Sequence, residues 1–139
     1  ISSASDSLSI SSNIITVTIG KNSTFTYQNL IDSLNIENTA ITVNNASGVN
    51  VTSYTESIGT NSTIITNNNT YYLVVLGDIN GDATVNSADL LKIVKYLKNI
   101  STLTSSQLVA SDVTGDNIIN SADLLKIVKY LKGITTISL

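Results

Sequence analysis

The chain has 139 residues and a formal net charge of −3; it contains no Cys, His, Pro or Trp, and all seven of its basic residues are lysines. Without Cys and His there are no disulfides or thiolate metal sites, and neither the commonest zinc ligand nor the commonest general base is present. An acidic chain without Arg is a poor nucleic-acid binder, and any metal it holds must be a hard one that accepts oxygen ligands. No apolar run approaches the roughly 18 residues that a membrane span needs. No signal peptide is visible, and Ile1 reads as an excision point rather than a natural start. The length suits one domain or two very small ones. Hydrophobic content of 42 % can supply a core, and with only 5 % aromatic that core must be built from Ile, Leu and Val.

In chain order, residues 1–10, ISSASDSLSI, are Ser-rich and read as a frayed lead-in. Residues 14–19, IITVTI, are β-branched with partial alternation and predict a strand. Gly20-Lys21-Asn22 predicts a turn and residues 23–27 a second strand, which together make a hairpin. Tyr27, Leu30, Ile31 and Leu34 stand at helical spacing, so a short helix is predicted there. Further strands are predicted at 40–43, 49–54, 63–66 and 70–76, separated by turn signals at Asn44-Asn45, Gly59 and residues 67–69. Region 1–76 is thus a small β-rich module with one helix, β-grasp-like or immunoglobulin-like. It holds Asp6, Asp32, Glu37 and Glu56 against Lys21, with no two placed like a catalytic pair, so it reads as a structural or spacer module. The run 71–76, YYLVVL, is the strongest strand signal and enters Gly77-Asp78 without a linker, which predicts that the module and the region after it form a rigid tandem.

Region 77–139 is organised by a repeat. Residues 86–98 recur letter for letter at 120–132, an offset of 34. Each copy opens with an acidic, Gly-containing loop and closes with an apolar helical run. Six of the ten acids lie in the two loop copies and six of the seven lysines in the helices. Calcium takes six to eight oxygen ligands, and a 12-residue loop supplies them from its first, third, fifth, seventh (carbonyl), ninth and twelfth positions. The first loop offers Asp78, Asn80, Asp82, Thr84 (carbonyl), Asn86 and Asp89; the second offers Asp112, Thr114, Asp116, Ile118 (carbonyl), Asn120 and Asp123. Thr114 is a neutral, weaker ligand, so the second site is expected to be weaker. These residues also suit turns and helix caps, Asn86 or Ser87 in particular. Turn chemistry alone does not explain the same carboxylate register arriving twice, and three carboxylates this close repel one another unless a cation compensates. Two calcium ions are therefore expected, with magnesium disfavoured by its strict octahedral demand. Phosphate is disfavoured by the acids. The tail, residues 134–139, is β-prone and able to pair with the first module or clasp the start of the repeat.

At 100° per residue, Leu90, Ile93 and Leu97 share a core stripe, as do Leu124, Ile127 and Leu131. Leu91, Val94 and Tyr96, with Leu125, Val128 and Tyr130, are left over. Such a surplus marks packing on a neighbouring module or an interaction surface.

These residues resemble a type I dockerin, a family with two calcium loops that each enter a single helix. The resemblance rests on GDINGD at 77–82, NSADLLKI at 86–93 and 120–127, and Asp at the twelfth slot, Asp89 and Asp123. Residues 1–76 are more loosely similar to the X modules that precede dockerins in some bacterial proteins. Two positions depart from the pattern: the sixth slot, usually Gly, is Ala83 and Asn117, and the third slot of the second loop is Thr114. The resemblance implies an α+β chain, a β-rich module at 1–76 followed by an all-α dockerin at 77–139 with two calcium loop–helix repeats. It implies an extracellular, cellulosome-type role in polysaccharide degradation, secreted or attached to the cell surface. There the parent protein would dock onto a cohesin of a scaffoldin or surface protein, in either of two orientations. The implied partner face is Ser87, Ala88, Val94, Lys95 and Asn99, with Ser121, Ala122, Val128, Lys129 and Gly133, and the apolar surplus adds Leu91 and Leu125 to it. The alternative is a calcium-stabilised stalk with no specific partner. Catalysis is not expected, nor nucleic-acid binding, and the chain is expected to be monomeric when alone.

Overall fold

A computed structural model describes residues 7–34 and 41–139. Five strands form a single mixed sheet: β1 (Leu8–Ser11), β2 (Ile14–Val17), β3 (Thr42–Asn44), β4 (Thr63–Ile65) and β5 (Thr70–Val75), in the order β1-β2-β5-β4-β3. Only the central β2–β5 pair is parallel, with Ile14 opposite Tyr72 and Val17 opposite Val75. Helix α1 (Tyr27–Ser33) starts at Thr26, whose side chain accepts the Asn29 N–H while the Asn29 side chain accepts that of Thr26. An immunoglobulin-like arrangement needs two packed sheets, whereas the described residues form one. The mixed sheet with a single covering helix is compatible with the β-grasp-like alternative.

The strand expected at 14–19 is present as β2, but its hairpin partner is different. It pairs antiparallel with β1, from the stretch expected to be a frayed lead-in, through a turn in which Ser12 has φ 53°. Leu8, at the start of β1, is buried and offsets the ordering of that Ser-rich segment. Residues 23–27 form no strand; Thr26 makes an isolated bridge to Ser57. The strand expected at 49–54 is likewise reduced to a bridge at Asn50, although Val51 is buried. The strand expected at 40–43 appears as β3, with Ala40 outside the described residues. So do Asp6 and Glu37 lie outside them.

Two apolar clusters meet on the sheet. Ile15, Val17, Leu73 and Val75 point to one face, with Leu30 and Leu34 of the α1 region. Val74 and Leu76 point to the other, with Ile79, Ile93, Ala110, Val113, Ile127 and Tyr130. The second half of β5, Leu73 to Val75, is thus buried on both faces, which is why it reads as a continuous apolar run rather than an alternating one. Each fully buried Ile or Val contributes roughly 1.5–3 kcal/mol.

The second cluster is built from three helices, α2 (Ser87–Leu97), α3 (Ser105–Ser111) and α4 (Ser121–Leu131). Helix α3 is not among the elements expected from apolar periodicity. Its signal is the run Thr104-Ser105-Ser106-Gln107, a capping box in which the side chains of Thr104 and Gln107 accept each other's backbone N–H. It packs on β5, and the Ala110 carbonyl accepts the Gly77 N–H. The tail at 134–139 forms no strand. Ile137 is buried, and its Cδ1 would lie 3.3 Å from a Cβ built on Gly77, so the tail clasps the start of the repeat.

Candidate metal centres and docking faces

In each repeat three carboxylates converge. Asp78, Asp82 and Asp89 each present an oxygen, all within 4.8 Å of one another, and so do Asp112, Asp116 and Asp123. The convergence follows from local backbone geometry. Asp78 accepts the N–H of Gly81 on Oδ1 and of Ala83 on Oδ2. Asp112 does the same with Gly115 and Asn117. These loop closures require left-handed backbone at the fourth and sixth slots. Gly81 and Gly115 supply it at no steric cost, while Ala83 (φ 72°) and Asn117 (φ 64°) are forced into it. The twelfth-slot residues tie loop to helix. Asp89 accepts from Ile79, Asn80 and Asn86, and Asp123 accepts from Thr114 and Asn120. The Thr114 hydroxyl also donates to Asp123, at 2.9 Å.

The ninth-slot amides serve as helix caps. Asn86 Oδ1 accepts the Ala88 N–H and Asn120 Oδ1 that of Ala122, and each Asn also forms a reciprocal capping box with Asp89 or Asp123. The third-slot Asn80 folds onto Asp82, accepting its N–H and donating to its Oδ2. At the seventh slot, the Thr84 N–H and hydroxyl both donate to Asp82, and the Ile118 N–H donates to Asp116. The expectation that these residues make turns and caps therefore holds alongside the convergence of the carboxylates.

The carboxylates differ in environment. Burial is the largest influence on Asp78 and pushes its carboxyl up to about 7; the charges of Asp89 and Asp82 add to the rise, and the Thr60 and Ala83 N–H groups oppose it. Asp89 is pushed up to about 6, again chiefly by burial, against the N–H groups of Asn80, Asn86 and Ile79. Asp116 is exposed and held below its ordinary value, chiefly by the Ile118 N–H. Carboxylates converging on one another, with oxygen as the only donor atom, fit a hard divalent cation: its charge offsets the mutual repulsion in each triad and the desolvation of Asp78 and Asp89.

Helices α2 and α4 carry the same side chains on differently covered surfaces. Ile93 and Ile127 are fully buried; Leu90, Leu124 and Leu131 are half-buried. Leu97, expected in the core stripe, is exposed, unlike its half-buried counterpart Leu131. Tyr130, expected to be surplus to the core, is buried, and its hydroxyl donates to the Ile19 carbonyl at 2.9 Å, whereas Tyr96 is half-buried. The face expected to meet a partner is open on both helices. Ser87, Ala88, Leu91, Lys95 and Asn99 are exposed, as are Ser121, Ala122, Leu125, Lys129 and Gly133, with Val94 and Val128 half-buried. Asn99 and Gly133 also have a structural role. Both are left-handed at the helix end, donating to Tyr96 and Tyr130, while Ile100 and Ile134 donate to Lys95 and Lys129 in a Schellman closure.

The arrangement defines a class: a duplicated acidic loop–helix segment seated on a small β sheet. Residues 76–132 match the family model of the dockerin type I domain, the family that the sequence of this segment resembles. A dockerin domain binds calcium and implies calcium-dependent docking to cohesins in general; it is a binding module rather than a catalytic one. No curated protein matches the chain. Among the described residues no helix is long and apolar enough to cross a membrane.

Proposed function

We propose that the chain holds two calcium ions, one in each loop, and uses the calcium-loaded segment to dock its parent protein onto a cohesin of a scaffoldin or surface protein, in either of two orientations. The ligands are Asp78, Asn80, Asp82, Thr84 (carbonyl), Asn86 and Asp89, with Asp112, Thr114, Asp116, Ile118 (carbonyl), Asn120 and Asp123. The observation that carries the reading is the equivalence of the two faces: Leu91 and Leu125, both surplus to packing, are each 53 % exposed. The Ser-Ala pairs at the start of α2 and α4 are exposed too, which leaves room for close approach by a partner. Residues 1–76 act as a non-catalytic β module that carries this segment. The setting is extracellular, and the chain is monomeric when alone.

The test is binding to a panel of immobilised cohesins, in calcium and in chelator, with Leu91→Glu, Leu125→Glu and the double variant. Either single variant should retain affinity within about threefold, because the other face still docks, whereas the double variant and chelation should abolish binding; in either orientation the double variant buries an unpaired carboxylate, which costs several kcal/mol. Uniform failure of the unmodified chain to bind any cohesin in calcium would favour the stalk reading. Loss of binding in one single variant alone would reduce the docking to one orientation.

A further inference from the structure

We propose that the Gly59–Thr60 corner of the β module is part of the first calcium site, positioning Asp78 from outside the loop, and that this makes the two sites unequal. The inference rests on the calcium reading above. The Thr60 N–H donates to Asp78 Oδ2 at 3.0 Å, the same oxygen that accepts from Ala83. Thr60 is itself pinned to the central strand: its hydroxyl donates to the Val75 carbonyl at 3.2 Å and accepts the Val75 N–H at 3.0 Å. Thr60 is fully buried.

The fit admits no side chain at the contact. A Cβ built on Gly59 would lie 2.5 Å from Asp78 Oδ2, 2.6 Å from the Ala83 nitrogen and 2.8 Å from the Gly81 carbonyl oxygen. A Cβ on Gly81 would lie 2.6 Å from the Thr60 carbonyl oxygen. Backbone meets backbone across the junction of module and loop. The second loop has no equivalent support among the described residues. Asp112 takes its N–H donors from Gly115 and Asn117, within its own loop, and a Cβ on Gly115 would meet nothing within 4 Å. Asp78 is fully buried, while Asp112 is half-buried and residues 114–118 are exposed.

The same ligand pattern is therefore fixed by tertiary contact in one loop and by local turns alone in the other. Partners that orient a ligand without touching the metal typically change affinity by about 10–100-fold, because a pre-oriented carboxylate loses less freedom on binding. The first loop should bind calcium more tightly, and its occupancy should be felt in the β module.

The experiment is a calcium titration of the full chain monitored by amide NMR, with Gly81 and Gly115 reporting the two loops. In the unmodified chain the tighter event should shift Gly59 and Thr60 together with Gly81, and the weaker should shift Gly115 alone. Gly59→Ala should weaken the Gly81 event by about tenfold or more and leave the Gly115 event unchanged. Thr60→Val, which keeps the shape but removes the bridge to Val75, should weaken the same event severalfold, and it decides the matter if Gly59→Ala does not fold. First-loop affinity unchanged within about twofold in the folded variants, or both loops weakened alike, overturns the proposal while leaving the calcium reading intact. No calcium-dependent shift at either loop of the unmodified chain overturns the calcium reading and the proposal together.

Discussion

Ala83 shows how a single side chain can work against its loop. The sixth slot needs left-handed backbone, which costs an L-residue roughly 1–2 kcal/mol and glycine little. Ala83 sits there at φ 72° and Asn117 at φ 64°. Asn tolerates this region better than Ala because its short polar side chain bonds locally. Part of what Ala83→Gly gains is returned through the greater freedom of glycine in the unfolded chain. Ala83→Gly should therefore stabilise the protein by about 1 kcal/mol, and Asn117→Gly by only a few tenths. Urea denaturation of both variants measures the difference; equal effects at the two positions would show that strain at Ala83 is relieved some other way. The departure from glycine at both positions is visible in the sequence. The backbone angle that gives it meaning is not, since it arises from the closure of Asp78 onto Gly81 and Ala83.

At the scale of elements, two helices of identical sequence differ in environment. Tyr130 donates to the Ile19 carbonyl and is buried, while Tyr96 is half-buried on the other copy. Tyr130→Phe leaves a carbonyl of the β module without its donor and should cost about 1–2 kcal/mol. Tyr96→Phe should change stability by less than about 0.5 kcal/mol. Thermal unfolding of the two variants side by side gives the comparison, and equal losses would contradict the asymmetry. This is also where sequence reading reaches its limit. The period of the helical run correctly sets Ile93 and Ile127 inside, and the repeated carboxylate register correctly brings the two triads together. Periodicity cannot distinguish Leu97 from Leu131, or Tyr96 from Tyr130, because those pairs are chemically identical and differ only in what the rest of the chain lays against them. Helix α3 is legible from Thr104 and Gln107, and β1 from the alternation of Leu8 and Ile10. In both cases Ser-rich composition masks the signal. The Gly59–Thr60 contact with Asp78 is not legible, because it joins segments 18 or more residues apart through backbone atoms common to every residue.

For the whole molecule, the buried carboxylates set a pH dependence whose direction depends on the metal. Without calcium, Asp78 titrates near 7 and Asp89 near 6 in the folded chain, both above the ordinary aspartate value. The folded state then keeps protons that the unfolded chain has released. Stability is full below about pH 4 and is lost as pH rises through 6 and then 7. Asp116 acts in the opposite sense, but it is exposed and solvent screens it. The unfolding midpoint of calcium-stripped protein should therefore fall between about pH 4.5 and 7.5. Saturating calcium, which takes the place of the protons, should flatten or reverse that trend, since it stabilises only the folded form. A midpoint in stripped protein that holds steady or climbs over this range would mean that the carboxylates are compensated without metal.

The register of the sheet has a consequence for reach. Leu8 lies opposite Val17, and Val17 lies opposite Val75, two residues before Gly77. Strands stand about 4.8 Å apart, so the chain enters the sheet roughly 10 Å from where it leaves for the dockerin. The β module therefore turns the chain back on itself instead of lengthening it. Any cargo linked ahead of Leu8 would be held beside the docking segment rather than a module's length away, and under the proposed two-way docking a change of orientation would swing that cargo around the contact instead of moving it outward.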